Sequence, residues 1–238
     1  MQPYFIPYLG YFSLMKHTRH FILLDTVQFI RHGWIERNRI LNPNEGWQYI
    51  GVPLSKHSRE TKIKDIRINN NTDWRDKILR QLEHYKKRAP YFQQTVEVLK
   101  DGLAIETDSI VELNARLLGK ICDYIGIDVK IQIFSRLNIN IEPVTAPDEW
   151  ALNICRALGN VTEYWNPEGG LEFFDINKYK GSGIDIKFLR INLEKYPQRR
   201  HMFEPGLSII DVMMFNKPDI INSLLDDYTL LKENYISV

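Results

Sequence analysis

The apolar positions of this chain change spacing several times, and each change predicts an element. Residues 1–12 read Met-Gln-Pro-Tyr-Phe-Ile-Pro-Tyr-Leu-Gly-Tyr-Phe. This stretch cannot be a helix interior, because Pro3 and Pro7 each lack a donor and lock φ. They also push Gln2 and Ile6 toward extended backbone. Pro7 suits the first position of a helix that turns Tyr11, Leu14 and Met15 inward. The unbroken run Phe21–Leu24, ending in Asp25, reads as a buried strand. Trp47–Pro53 and Ile63–Ile68 read as further strands, the second alternating loosely. From Thr72 the period lengthens. Thr72 or Asp73 caps a helix with Trp74, Ile78, Leu82 and Tyr85 on one face, and Lys86-Lys87-Arg88 complement the dipole at its end. Ala89-Pro90 interrupts, and a second helix covers about 91–103. A third, capped by Asp108 or Ser109, carries Ile110, Leu113, Leu117 and Ile121 to a stop at Gly126.

Beyond Gly126, strands and helices alternate. Val129–Phe134, Val161–Trp165 and Ile184–Leu189 are expected strands, and 147–158 is a helix with Gly159 past its end. Gly206–Asp211 opens another helix, with Ser208 as cap and Asp211 arranged as in a capping box. One more helix and a frayed tail follow after about residue 217. The alternation predicts a three-layer α/β domain over 1–238 with a largely parallel, Rossmann-like sheet, and the helices of 72–126 as an inserted subdomain. Its 238 residues can bury a proper core, and 44% hydrophobic with 26% charged residues is a globular composition.

Charge and cysteines narrow the class. A formal net charge of +1 argues against a dedicated nucleic-acid binder. No apolar run approaches the ~20 residues of a membrane span, and no basic-then-apolar leader is visible. Cys122 and Cys155 read as small buried hydrophobes of a reducing, cytoplasmic protein rather than as a disulfide or metal pair. The chain has no HExxH, no metal-spaced His/Cys set, no GxSxG and no nucleotide-binding GxGxxG or P-loop.

Candidate chemistry therefore comes from position. Asp25 falls at the C-terminal end of a strand, where doubly wound sheets place ligands. Gln2, Tyr4, Tyr8, Gly10 and Tyr11 surround the predicted turn into the first helix, whose free N–H groups suit an anion. The stretch 28–39 is polar without a helical stripe, and its Gln28, Arg31, Trp34, Arg37 and Asn38 are candidate ligand contacts; guanidinium forks suit phosphate or carboxylate. Lys56 and His57 form a weaker pair in the next connection, and Arg199, Arg200 and His201 a basic segment later. Asn166-Pro-Glu-Gly-Gly170 follows a strand, so Asn166, Gly169 and Gly170 can let backbone donors approach a ligand. Asp25 and Asp211 are the candidate bases.

The opening segment, Asp25–Trp34 with Arg37-Asn-Arg-Ile40, Asn166–Gly170 and Pro205–Asn216 together resemble the WbqC-like family, in order and over nearly the whole chain. Relatives usually carry a short apolar strand ahead of the motif that begins here at Met1. The family is associated with O-antigen gene clusters. The resemblance implies aminoacyl (for example glycyl) transfer to a nucleotide-linked amino sugar, with a nucleotide or CoA-type compound as donor. Such amide formation needs a base to remove a proton rather than a metal. The competing reading is a non-catalytic module that binds a sugar nucleotide or another protein. A further analogy is to adenylyltransferase-like (HUP) folds, whose HxGH turn has its counterpart in Tyr8-Leu-Gly-Tyr11. Tyrosine is neutral at pH 7, so it lacks the charge that neutralises a leaving phosphate.

Overall fold

The computed structural model describes residues 1–231. Its helices are α1 (Leu9–His17), α2 (Trp74–Leu82), α3 (Phe92–Leu103), α4 (Ile110–Ile125), α5 (Glu149–Leu158), α6 (Ile176–Lys180), α7 (Ile209–Phe215) and α8 (Pro218–Asp226). Its strands are β1 (Phe21–Leu23), β2 (Arg37–Leu41), β3 (Trp47–Gly51), β4 (Ile131–Ile133), β5 (Glu163–Pro167), β6 (Asp185–Ile191) and β7 (Tyr228–Leu231). Among these residues no helix is long and apolar enough to cross a membrane.

The chain is a mixed α/β protein, but the expected three-layer, largely parallel Rossmann-like sheet is not what its described strands form. They make three separate small sheets. β1 and β4 pair in parallel, β2 and β3 form an antiparallel hairpin, and β6 lies parallel to β5 and antiparallel to β7. Strand length explains the division. β1 and β4 have only three residues each. β4 gives way at once to a 3-10 turn over Phe134–Arg136, because Ser135 turns aside to donate two hydrogen bonds to Asp25. β5 therefore pairs with β6 alone on the parallel side, and α1 packs against that pair.

Other expectations shift for local reasons. Ile63–Ile68 is a 3-10 turn at Ile63–Asp65 rather than a strand, since the buried Ile63 and Ile66 stand three residues apart, the repeat of that turn. Pro7 does not begin α1; Tyr8 is the extended N-cap and the helix starts at Leu9. Ser109 does cap α4 by accepting from the Glu112 N–H, and Gly126 ends it at φ 76°. Ser208 caps α7 through the Ile210 N–H. Asp211, however, closes no capping box, because its carboxylate is used elsewhere (below). Residues 228–231, expected within a tail, form an edge strand; what was expected of 232–238 lies outside the described residues.

The N-terminal segment holds the main core together. Leu24 and Ile209 N–H groups donate to Met1 O and Pro7 O, and buried side chains donate to several of the carbonyls between. Asn114 Nδ2 of α4 donates to Pro3 O at 2.8 Å and to Ile35 O at 2.9 Å. Asn38 Nδ2 donates to Phe5 O at 3.0 Å, Ser208 Oγ to Ile6 O at 2.7 Å, and Tyr11 Oη to Gln2 O at 2.8 Å. So restrained, Ile6 sits at φ 40°. That is a left-handed conformation a β-branched residue before proline avoids, and it persists only because its surroundings impose it. Phe5, Ile6, Tyr11 and Met15 then share one apolar cluster with α3, α4 and α7, so the helices of 72–126 pack into the same core as the N-terminus. A smaller cluster lies under β5 and β6, around Leu152, Tyr179 and Phe188.

Asn114→Ala is expected to strand two buried carbonyls and lower unfolding stability by about 2–4 kcal/mol. Urea titration checks this; a loss below about 1 kcal/mol would show that the segment does not depend on α4 for its shape.

Candidate functional site

The alternation of the β2–β3 hairpin builds one candidate surface. Asn38 and Ile40 point into the core, which leaves Arg37 and Arg39 on the outer face. In β3 the inward Ile50 leaves Trp47, Tyr49 and Gly51 outside. Arg37 lies opposite Gly51 and Arg39 opposite Tyr49. The Arg37 guanidinium carbon sits 4.0 Å from the Tyr49 ring centre; that of Arg39 lies 5.4 Å from Trp34 and 5.2 Å from Trp47. These rings are only partly covered: Trp34 is 37%, Trp47 41% and Tyr49 39% exposed.

Neither arginine has a carboxylate partner among the described residues. Arg37 donates to His32 O at 2.6 Å and Arg39 to Gly206 O at 3.4 Å. The Nε of each is buried with no partner in the protein. Stacking on a ring contributes roughly 0.5–2 kcal/mol, while an unmet buried donor costs about 1–3 kcal/mol. On that comparison the pair adds little stability, yet two positive charges are held side by side on an aromatic surface. Unmet capacity also concentrates here. Of the eight orphaned side-chain polar atoms among the described residues, Arg37 Nε and Arg39 Nε belong to β2 and Glu36 Oε2 to the residue just before it. In a native core such atoms call for an explanation, and a ligand site is one.

The N-terminal turn gives a second cluster. Tyr8 folds its ring across Gly10, where a Cβ would lie 2.6 Å from the ring. A side chain at this position would make the Tyr8 ring move. The Tyr4 ring packs tilted, 5.6 Å away, on Tyr11, which is fully buried with its hydroxyl spent on Gln2 O. Burial raises the pKa of Tyr4, and burial with the negative charge of Glu168 raises that of Tyr8. The 166–170 loop thus reaches the Tyr8 side of the turn, where Glu168 is paired with Arg190. Asn166 is nearly buried, bonded to Pro167 O and to the Tyr164 hydroxyl, and its amide fills the space a Gly170 side chain would need. Gly169 has open space beside it.

A third feature is a groove of about 490 Å³ between loops 28–31 and 57–59. It joins Gln28 and Arg31 to His57, Ser58 and Arg59.

The structure therefore sorts the expected residues. Trp34 and Arg37 lie on the hairpin face; Gln28 and Arg31 in the groove; Gln2, Tyr4, Tyr8, Gly10 and Tyr11 around the N-terminal turn, with the 166–170 loop beside it. Asn38 lies beneath the hairpin face, its amide occupied by Phe5 O and the Arg39 N–H. Sequence reasoning placed Arg39 in the polar stretch without choosing it as a contact, and read Trp47 and Tyr49 only as strand residues. The signal was there in the alternation of Arg37-Asn-Arg-Ile-Leu41 against Trp47-Gln-Tyr-Ile-Gly51.

The two candidate bases are both enclosed. Asp25 is 1% exposed and receives the Ser135 N–H at 3.0 Å and the Ser135 hydroxyl at 2.6 Å. Asp211 is fully buried. Its Oδ1 accepts from Tyr85 Oη at 2.7 Å, and its Oδ2 from Tyr196 Oη at 2.6 Å and Gln198 Nε2 at 2.7 Å. Tyr85 Oη in turn accepts from the Leu41 N–H at 2.9 Å, which fixes the end of the hairpin to α7. Burial raises the pKa of Asp211 to about 6, against the lowering effect of its three donors.

Fold and site together define a mixed α/β protein that carries a cationic, aromatic surface on a hairpin. The chain belongs to the WbqC-like protein family, whose model matches residues 2–223. It is similar to the protein Rv1507c of Mycobacterium tuberculosis, itself described as uncharacterized, with 29% identity over 219 residues, 91% of each chain. No solved structure matches.

Tyr85→Phe is expected to leave Asp211 and the Leu41 N–H short of partners and to cost about 1–3 kcal/mol. Asp211 also gives stability a distinct pH dependence. Below the ordinary value of 3.8 both states hold the proton, and up to about 6 only the folded state does. Stability from this group therefore falls as pH rises from about 4 to 6, the reverse of a paired surface carboxylate. Wild type minus Asp211→Asn unfolding free energies, measured across that window, should decline; a rising difference would exclude the assignment.

Proposed function

We propose that this protein recognises an anionic, nucleotide-linked sugar on the hairpin face, in the service of surface-polysaccharide synthesis. The observation that carries the reading is the pair Arg37 and Arg39, without carboxylate partners and packed among part-exposed aromatic rings. A base or sugar ring can lie on Trp34 or Trp47 while a diphosphate takes the guanidinium donors that remain. The family association supplies the process, and aminoacyl transfer to an amino sugar is the reaction it implies, with a nucleotide or CoA-type donor. A cytoplasmic location belongs to the same reading.

Recognition has more support than catalysis. Amide formation needs a base that can reach the amine. Asp25 and Asp211 are 1% and 0% exposed, with protein donors on their oxygens. The nucleotidyl-transfer analogy with HUP-like, Rossmann-type folds gains no support either, since Tyr11 spends its hydroxyl on Gln2 O and neither tyrosine of the turn carries positive charge.

The test is calorimetric titration with nucleoside diphosphates, their sugars and CoA compounds, on wild type, Arg39→Ala and Trp47→Ala. One ligand class is expected to bind, with affinity reduced about tenfold or more by Arg39→Ala and less by Trp47→Ala. Absence of any binding by folded wild type would overturn the proposal. So would strongly salt-dependent retention of single-stranded oligonucleotides in place of nucleotide binding.

A further inference from the structure

The groove between loops 28–31 and 57–59 is lined by neither of the hairpin's stacked arginines and carries its own set of donors. Its walls are pinned. Phe29 N–H donates to Thr61 O at 2.9 Å, Ile63 N–H to Val27 O at 3.0 Å, and the Gln28 side chain to Arg59 O at 2.8 Å. Phe29 is buried at its base, with the His57 ring edge-on at 5.2 Å. His57 Nδ1 lies 2.9 Å from Ser55 O, an acceptor only, so Nδ1 carries the proton and Nε2 is left with no partner in the protein.

The cations of the groove are uncommitted. Arg31 makes one long bond, 3.3 Å to His57 O, and has no carboxylate partner. The Arg59 guanidinium has neither hydrogen bond nor ion pair among the described residues. The two come from different loops, so they can approach one ligand from separate directions. A carboxylate, planar with two oxygens, is satisfied by a single guanidinium fork. A phosphate presents three oxygens in a tetrahedron and a second negative charge, which uses both forks. The groove, at about 490 Å³, exceeds what a bare phosphate fills and falls within the range of small-molecule sites.

The geometry points to a second binding site in this groove, for a phosphomonoester of monosaccharide size. Gln28 and Ser58 offer polar contacts to its hydroxyls, and Arg31 and Arg59 hold the phosphate. The site does not rest on the reading of the hairpin face. The two regions meet at one turn: Arg37 donates to His32 O, and His32, next to Arg31, is held at φ 61° with its N–H on Glu36 Oε1.

The experiment titrates wild-type protein with glucose 1-phosphate, inorganic phosphate and glucose, and repeats the titrations on Arg31→Ala, Arg59→Ala and Arg39→Ala. Glucose 1-phosphate should bind more tightly than phosphate, and glucose should not bind. Arg31→Ala and Arg59→Ala should each weaken the sugar phosphate by about tenfold or more, while Arg39→Ala leaves it unchanged. Both groove arginines are exposed, and Arg59 has no bond to lose, so its variant keeps the test readable if Arg31→Ala unfolds. The site is overturned if wild type binds neither phosphate compound, if glucose binds as well as its phosphate, or if Arg31→Ala and Arg59→Ala retain full affinity. It is also overturned if Arg39→Ala alone abolishes binding, since the anion would then sit on the hairpin. Nucleotide binding that survives Arg31→Ala and Arg59→Ala would leave the hairpin reading standing whatever the groove does.

Discussion

The structure depends on how the carbonyls of its first residues are satisfied. A segment with two prolines cannot join a helix, yet its aromatic side chains belong in the core, and the backbone must follow them there. An unpaired buried carbonyl costs about 1–3 kcal/mol. Asn114, Asn38, Ser208 and Tyr11 meet that cost from four parts of the chain. These donors fasten α4, β2 and α7 to one irregular strand of backbone, and Ile6 is held in a left-handed conformation as a result.

The composition of the hairpin's outer face follows from its inner face. Asn38 is committed to Phe5 O, so β2 must present Arg37 and Arg39 outward, because successive side chains alternate. Tyr85 and Asp211 fasten the far end of the same strand through the Leu41 N–H. The surface proposed to meet the ligand is thus a rigid element anchored at two points. Its orphaned guanidinium nitrogens sit on that scaffold, and Arg37 ties the loop before it by donating to His32 O. Preorganised sites have this construction: the support is fully bonded and the presented groups are not.

Asp25 and Asp211 show why residue type alone is a poor guide to chemistry. Both are carboxylates in stretches that the family resemblance covers, and both attracted a catalytic reading. In three dimensions one aligns the turn after β4 and the other joins two tyrosines and a glutamine near the turn end of the hairpin. The arginines invert that pattern, since their polar ends find little in the protein to bond.

What the sequence determined by itself is what local physics controls. Helical periodicity placed α2 to α5 to within a few residues, Ser109, Gly126 and Gly159 marked ends of α4 and α5 and Ser208 the start of α7, and apolar runs located most strands. The family was legible too, from long ordered motifs. Sheet organisation was not, because pairing joins strands far apart in sequence: three-residue β1 finds β4 across more than a hundred positions, and nothing local announces that β5 turns to β6 instead. Likewise a string such as Arg37-Asn-Arg cannot say which side chain is spent on the core. Only the carbonyl of Phe5, brought beneath β2 by the fold, decided that Asn38 is structural and that Arg39 stands beside Arg37 on the surface.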